Sequence, residues 1–147
     1  MSMLNDFLNP LQAEEKSVFI SNRFVKRDSN GDPVLNENGK PVLVPFVIRA
    51  ISQEENEQLL RRSRRPEVVN GQKRMVTDSE AYSRALILAA TVEPNFSSKE
   101  FCDKFGVIDP SFVPGKMLLT GEYANLMREI ISASGLDPVD IEEELKN

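Results

Sequence analysis

A duplicated turn motif constrains how the first third of this chain can fold. Residues 30–35 (NGDPVL) recur eight positions later as residues 38–43 (NGKPVL). Asn-Gly pairs favour tight turns between antiparallel strands, because both residues tolerate positive φ angles. The flanking segments, 17–27 and 42–51, are rich in β-branched and aromatic residues, which favour strands. Residues 17–51 are therefore predicted to form a β-hairpin or small meander.

The same region contains three residues spaced like calcium ligands. Asp28, Asn30 and Asp32 occupy alternate positions, as the first ligands of an EF-hand loop do. However, that loop needs a glycine at its sixth position and a carboxylate at its twelfth. Pro33 and Gly39 stand there instead. The residues are predicted to shape turns, and no metal site or cofactor site is predicted.

Helix start and stop signals follow along the rest of the chain. Ser52-Gln53-Glu54-Glu55 and Thr77-Asp78-Ser79-Glu80 have the spacing of capping boxes. The helix from Ser52 should run to about Arg64, and the apolar helix after Thr77 should be buried and stop at Pro94. Residues 66–76, which contain Asn70-Gly71, are predicted to be an exposed loop. Further helices are predicted at 97–106, after Asp109, from Thr120 to Ser134, and after Asp137.

These elements predict an α+β fold. An N-terminal β-hairpin or meander is followed by a compact bundle of four to six short helices. The 147 residues suit a single domain, divided into an N-terminal arm (1–16), a β region (17–51) and a helical region (52–147). Within the arm, a short helix over residues 3–9 either packs on the core or serves as a docking arm.

The amino-acid inventory excludes several kinds of chemistry. The chain has no histidine and one cysteine, Cys102. Nucleophile pairs that depend on histidine, histidine metal sites and intramolecular disulfides are therefore impossible. No phosphate-binding glycine loop is present. The chain is predicted not to be an enzyme. With no apolar run long enough for a signal peptide or a membrane span, it is expected to be cytoplasmic and to have no membrane partner.

Charge is distributed unevenly along the sequence. Residues 1–75 hold 12 basic and 10 acidic residues, whereas residues 76–147 hold 6 and 13. The net charges of the halves are therefore +2 and −7, which suggests a protein partner or a head-to-tail self-association.

One basic cluster, Arg61, Arg62, Arg64 and Arg65, raises the alternative of a small nucleic-acid-binding regulator of a mobile element. Helical spacing would place Arg61, Arg62 and Arg65 on one face. A net charge of −5 opposes binding to phosphates, so nucleic acid is the less favoured partner. An acidic patch on a partner protein suits the cluster better.

Amphipathic stripes supply the remaining candidate binding residues. The candidates within these stripes are Tyr123, Leu126, Met127 and Ile130 on the helix from Thr120, and Ile141 and Leu145 on the last helix. Most of such a stripe must be core, but an apolar helix face can also dock on a partner. These six residues and the three arginines are the predicted partner-binding set.

The order of the short motifs resembles one known family. An apolar helix ends in Val92-Glu93-Pro94, a short helix ends at Gly106, and Leu118-Leu119-Thr120-Gly121-Glu122-Tyr123 opens a helix that closes on Ser134-Gly135-Leu136. Asp6-Phe7-Leu8 and residues 46–51 (FVIRAI) also fit. Over roughly residues 4–137, the sequence resembles the XkdN-like phage tail assembly chaperones.

The resemblance implies a small accessory protein of a phage or prophage tail module. It implies binding to the long, helical tape-measure protein before the tail tube forms around it. The family pattern defines no catalytic residues. Its Gly-Glu motif corresponds to Gly121 and Glu122, interpreted as a helix start because a carboxylate is favoured at the positive end of a helix.

Overall fold

A computed structural model describes residues 3–135 of the chain. The predicted last helix after Asp137, with Ile141 and Leu145, lies outside this range. The helices are α1 (Met3–Leu8), α2 (Gln53–Arg62), α3 (Ser79–Ala90), α4 (Lys99–Phe105), α5 (Val113–Met117) and α6 (Thr120–Ala133), with a 3-10 turn at Pro110–Phe112. The strands are β1 (Lys16–Val18), β2 (Phe46–Ile48), β3 (Arg64–Val69), β4 (Gln72–Thr77) and β5 (Thr91–Glu93). The predicted α+β class is confirmed.

Strand β2 is the centre of a three-stranded antiparallel sheet in the order β1-β2-β5. Val18 lies opposite Phe46, and Ile48 lies opposite Thr91. Strand β5 was not predicted, because its three residues directly follow helix α3 and pair with a strand over 40 positions earlier. The helix therefore ends at Ala90, short of Pro94.

The β region between β1 and β2 is a meander with an eight-residue period. Lys26, Val34 and Val42 close a ring of backbone hydrogen bonds: Lys26 N–H donates to Val42, Val42 to Val34, and Val34 to Lys26, each at 2.8 Å. Regular strand is thus shorter than the predicted 17–27 and 42–51, because this segment pairs through single bridges.

Matching side chains hold the two turns of the meander. Asp28 Oδ1 accepts hydrogen bonds from the N–H groups of Asn30 (2.9 Å) and Asp32 (3.0 Å). Asn36 Oδ1 accepts them from Asn38 (2.9 Å) and Lys40 (3.0 Å) in the same way. The turn interpretation of Asp28, Asn30 and Asp32 is confirmed, because the carboxylate caps backbone donors of its own loop.

The loop prediction for residues 66–76 is wrong. Strands β3 and β4 form an antiparallel hairpin, with Arg64 opposite Thr77 and Val69 opposite Gln72. Asn70 (φ 52°) and Gly71 (φ 78°) make its two-residue turn, as expected for a tight hairpin. Charged or polar residues at seven of the twelve strand positions hid the alternation that would have indicated strands.

Three predicted helix boundaries also shift. Helix α2 begins as expected, with Ser52 Oγ accepting from Glu55 N–H at 3.2 Å, but it ends at Arg62. Asp78, not Thr77, caps α3 through the N–H groups of Glu80 and Ala81. Thr120 is the first residue of α6 and does not cap it. Leu119 holds the capping position, and the Glu122 carboxylate accepts a hydrogen bond from its N–H at 2.7 Å. Gly106 and Gly135 adopt positive φ as predicted.

The sheet and the helices share one hydrophobic core, and helix α3 is buried within it as predicted. Its members come from β1, β2, α2, α3, α5 and α6: they include Val18, Phe46, Ile48, Leu59, Leu86, Ile87, Val113, Leu126 and Ile130. Helix α1 contributes no buried residue. The alternative in which the arm packs on the core is therefore wrong, since Leu4, Phe7 and Leu8 are 63–75% exposed.

Candidate functional site

An ion pair joins the β meander to the start of helix α6. Arg23 donates to Glu122 through both Nε (2.9 Å) and Nη2 (2.5 Å), and the same Nη2 donates to the Met117 carbonyl at 3.2 Å. Glu122 also accepts from the N–H of Leu119. A bidentate guanidinium–carboxylate pair fixes distance and orientation together. We call this ion pair the Arg23–Glu122 joint. It sets the position of the meander over the α5–α6 corner.

Glu122 is held ionised by these contacts. The Arg23 hydrogen bonds lower the pKa of Glu122 to about 2, helped by the Ser21 hydroxyl and the Leu119 N–H and opposed by burial. In turn, the hydrogen bond from Glu122 raises the pKa of Arg23. The sequence identified Glu122 as a helix start, but it gave no signal for its partner 99 positions away.

A row of phenylalanines beside this joint passes through the core and reaches the surface at both ends. Phe24 contacts Phe46 (5.4 Å between ring centroids), Phe46 contacts Phe96 (6.3 Å), Phe96 contacts Phe101 (5.8 Å), and Phe101 stacks with Phe105 (6.4 Å). Phe46 and Phe96 are buried, whereas the other three are partly exposed. Rings at these separations attract each other beyond the area they bury, so the buried middle of the row supports both exposed ends.

The exposed ends of the row line an open groove of about 630 Å³. We call it the aromatic groove; Phe24, Phe101, Phe105 and Met117 line it, with Arg23, Glu100 and Lys104 at its rim. The Arg23 guanidinium lies 5.3 Å from the Phe24 ring centroid. Aromatic walls with a thioether and a few charges suit the apolar face of a peptide helix. The i, i+4 spacing of Phe101 and Phe105 was the one signal for this groove in the sequence.

The predicted binding residues of helix α6 divide into two groups. Leu126 and Ile130 are completely buried in the core, so neither can contact a partner in this conformation. Tyr123 and Met127 are partly exposed. Tyr123 lines a separate groove of about 590 Å³ with Arg84 and Phe112, and burial raises the pKa of its hydroxyl.

The basic residues do not form the predicted helical face. Arg61 and Arg62 are exposed in the last turn of α2, whereas Arg64 and Arg65 belong to strand β3. The helix stops at Arg62, so Arg65 cannot share a helical face with Arg61 and Arg62. Its Nε lies 3.8 Å from a carboxylate oxygen of Asp78. The cluster instead continues into the exposed hairpin.

The described range holds neither a metal-binding cluster nor a membrane-spanning helix. Between residues 3 and 135, no group of three or more Cys, Asp or Glu side chains is placed to hold a metal ion. None of the helices in that same range is long and apolar enough to cross a membrane.

Comparison with known proteins gives consistent matches. The family model described as phage XkdN-like tail assembly chaperone protein matches residues 4–146. YqbN of Bacillus subtilis (strain 168) is 33% identical over 141 residues, which is 93% of this chain and 87% of that protein. The phage-like element PBSX protein XkdN of the same strain is 30% identical over 141 residues, with the same coverage.

The fold is also similar to a solved structure. The crystal structure of the protein YqbN matches with a TM-score of 0.64 at 29% identity, over 87% of this chain and 90% of that one. The family match covers the meander, the helices and the Gly121-Glu122 motif together. The chain therefore belongs to the XkdN-like family of phage tail assembly chaperones.

Proposed function

We propose that this protein binds the tail tape-measure protein and transiently covers its apolar helix faces during tail morphogenesis. Membership in a family of tail assembly chaperones carries this proposal. A long helical client with apolar faces needs reversible cover while it is free, and amphipathic helices are commonly recognised in apolar grooves. The protein would act in the cytoplasm of the bacterial host and without catalysis.

The aromatic groove is the surface that best suits such a client. Its walls are apolar, the phenylalanine row supports them from the core, and the Arg23–Glu122 joint lies at its charged rim. A preformed groove loses little conformational entropy on binding, which favours association. Among the residues predicted from the sequence, Tyr123, Met127, Arg61, Arg62 and Arg65 are at least partly exposed and remain candidate contacts.

Co-expression tests this proposal. The tape-measure protein from the same tail module should be recovered in the soluble fraction with the parent chain and should form inclusion bodies without it. Phe105→Ala, which removes one wall of the groove, should reduce the soluble yield severalfold. Phe19→Ala removes an exposed ring (65% exposed) outside the groove and serves as the matched control. A client whose solubility is the same with and without this protein would refute the proposal.

The nucleic-acid alternative predicts a different experimental result. A regulator acting through Arg61, Arg62 and Arg65 should shift a DNA fragment in a gel at low salt. Neutralising the three arginines should abolish that shift, because counterion release depends on the number of contacted phosphates. The chaperone proposal predicts that neither the parent chain nor the variant without the three arginines shifts the DNA.

A further inference from the structure

The β3–β4 hairpin is almost fully exposed. Opposite residues of an antiparallel pair share a face, so the register places Arg64, Pro66, Val68, Lys73 and Met75 on one face, beside the partly covered Thr77. We call these five residues the basic hairpin face. All five are exposed, including Val68 (67%) and Met75 (61%). On the opposite face, Val69 and Val76 are partly covered. The basic hairpin face thus presents an apolar strip between two cations.

The exposed basic hairpin face is expected to have another element packed on it. A two-stranded hairpin is marginally stable in water unless another element packs on it. Protection of the strand edges explains a proline and some charge on the strands, but it does not require charge of one sign. Residues 61–77 carry six basic residues and one acidic residue. The complementary occupant is therefore an acidic segment with apolar side chains.

The chain has such a segment directly after the described range. Residues 136–147 (LDPVDIEEELKN) contain five acidic residues, one lysine and four aliphatic side chains, namely Leu136, Val139, Ile141 and Leu145. No stretch of similar length elsewhere in the sequence combines this much negative charge with this many aliphatic residues. Its charge and apolar content complement those of the basic hairpin face.

The described chain also ends at a suitable place. The Ser134 hydroxyl accepts a hydrogen bond from Ile51 N–H at 2.9 Å, beside the start of helix α2 at Gln53. Helix α2 has 10 residues and so spans about 15 Å, and its far end leads directly into the hairpin. Twelve residues reach about 40 Å when extended. A tethered segment within reach has an effective concentration of order millimolar, well above that of a separate acidic partner.

We propose that residues 136–147 dock on the basic hairpin face of their own chain. The acidic side chains face Arg64 and Lys73, and the aliphatic ones cover Val68 and Met75. Because this contact uses neither the aromatic groove nor the tape-measure client, it stands independently of the proposed function.

A spin label at the end of the chain tests this contact. The label is attached to Asn147→Cys in a Cys102→Ala background, since Cys102 is the natural cysteine. Amide signals of Val68, Lys73 and Met75 should lose at least half of their intensity in the ¹⁵N-labelled protein. A mixture of ¹⁵N protein without label and ¹⁴N protein with label should show no such loss. Raising the salt to 1 M should restore the signals, because charges are then screened beyond about 3 Å.

Charge reversal provides the matched comparison. Arg64→Glu with Lys73→Glu should abolish the intensity loss. Lys26→Glu with Lys40→Glu makes the same change of charge at exposed positions of the meander and should preserve it. Unaltered hairpin intensities in the labelled chain would overturn the proposal. Intensity loss that appears only in the mixture would also overturn it, because the segment would then bind a neighbouring copy.

Discussion

Arg23 and Glu122, 99 positions apart in the sequence, form a two-point ion pair that attaches the β meander to the start of helix α6. Glu122 is the acidic residue of the Gly-Glu motif, so a feature that looks like a local helix start is also a long-range contact. The joint lies at the rim of the aromatic groove, where Arg23 is shared between the carboxylate and the Phe24 ring.

Acid should weaken this joint in a defined pH range. The pKa of Glu122 is lowered from 4.5 to about 2 in the folded protein. Its ionised form therefore contributes stability that is fully present above pH 4.5 and is lost as the pH falls towards 2. Glu122→Gln should lower the thermal midpoint at pH 7 and flatten its decline between pH 4.5 and 2. At pH 7, Glu129→Gln, which breaks the exposed pair with Lys16, should have little effect. An unchanged acid decline in Glu122→Gln would contradict this account.

Two isoleucines of opposite burial, one of them on helix α6, predict very different losses of stability for the same substitution. Ile130 is 0% exposed, whereas Ile108 is 100% exposed. Ile130→Ala should lower the free energy of unfolding by about 2–5 kcal/mol, since it leaves a cavity. Ile108→Ala should stay within about 0.5 kcal/mol of the parent. Urea denaturation of both variants measures the difference. Similar values for the two would mean that the α6 stripe is not core.

The hairpin turn gives a third comparison, between two glycines. Gly71 has a φ of 78°, so Gly71→Ala should cost about 1–2 kcal/mol. Gly115 lies in helix α5, and an added Cβ there meets nothing within 4 Å. Gly115→Ala should therefore be neutral or slightly stabilising. Hydrogen exchange at the Glu67 and Arg74 amides, which the register and the two-residue turn place in a hydrogen-bonded pair, should accelerate about 5- to 30-fold in Gly71→Ala. Equal protection in both variants would argue against the observed turn.

Local sequence signals predicted the helices and the meander well. Ser52, Gly106 and Gly135 end or begin helices where expected, because each acts through its own backbone neighbours. The repeat at residues 30–43 produces equivalent turns for the same reason.

Features that depend on distant partners could not be predicted in this way. Strand β5 exists because β2 pairs with it, and the β3–β4 hairpin forms despite charges at strand positions. The division of the α6 stripe into buried Leu126 and Ile130 and partly exposed Tyr123 and Met127 depends on what packs against it. The aromatic groove was missed because Phe24 lies in the meander and Phe101 in helix α4.

We propose that the aromatic groove holds an apolar helix face of the tape-measure protein. The most direct measurement is the dissociation constant between the purified chain and soluble helical segments of that client. We expect Phe105→Ala to weaken binding at least tenfold, as for a central aromatic contact. Phe19→Ala should change it less than twofold, and both variants should keep the parent's helical circular dichroism. Equal affinities for the parent chain and Phe105→Ala would contradict this proposal.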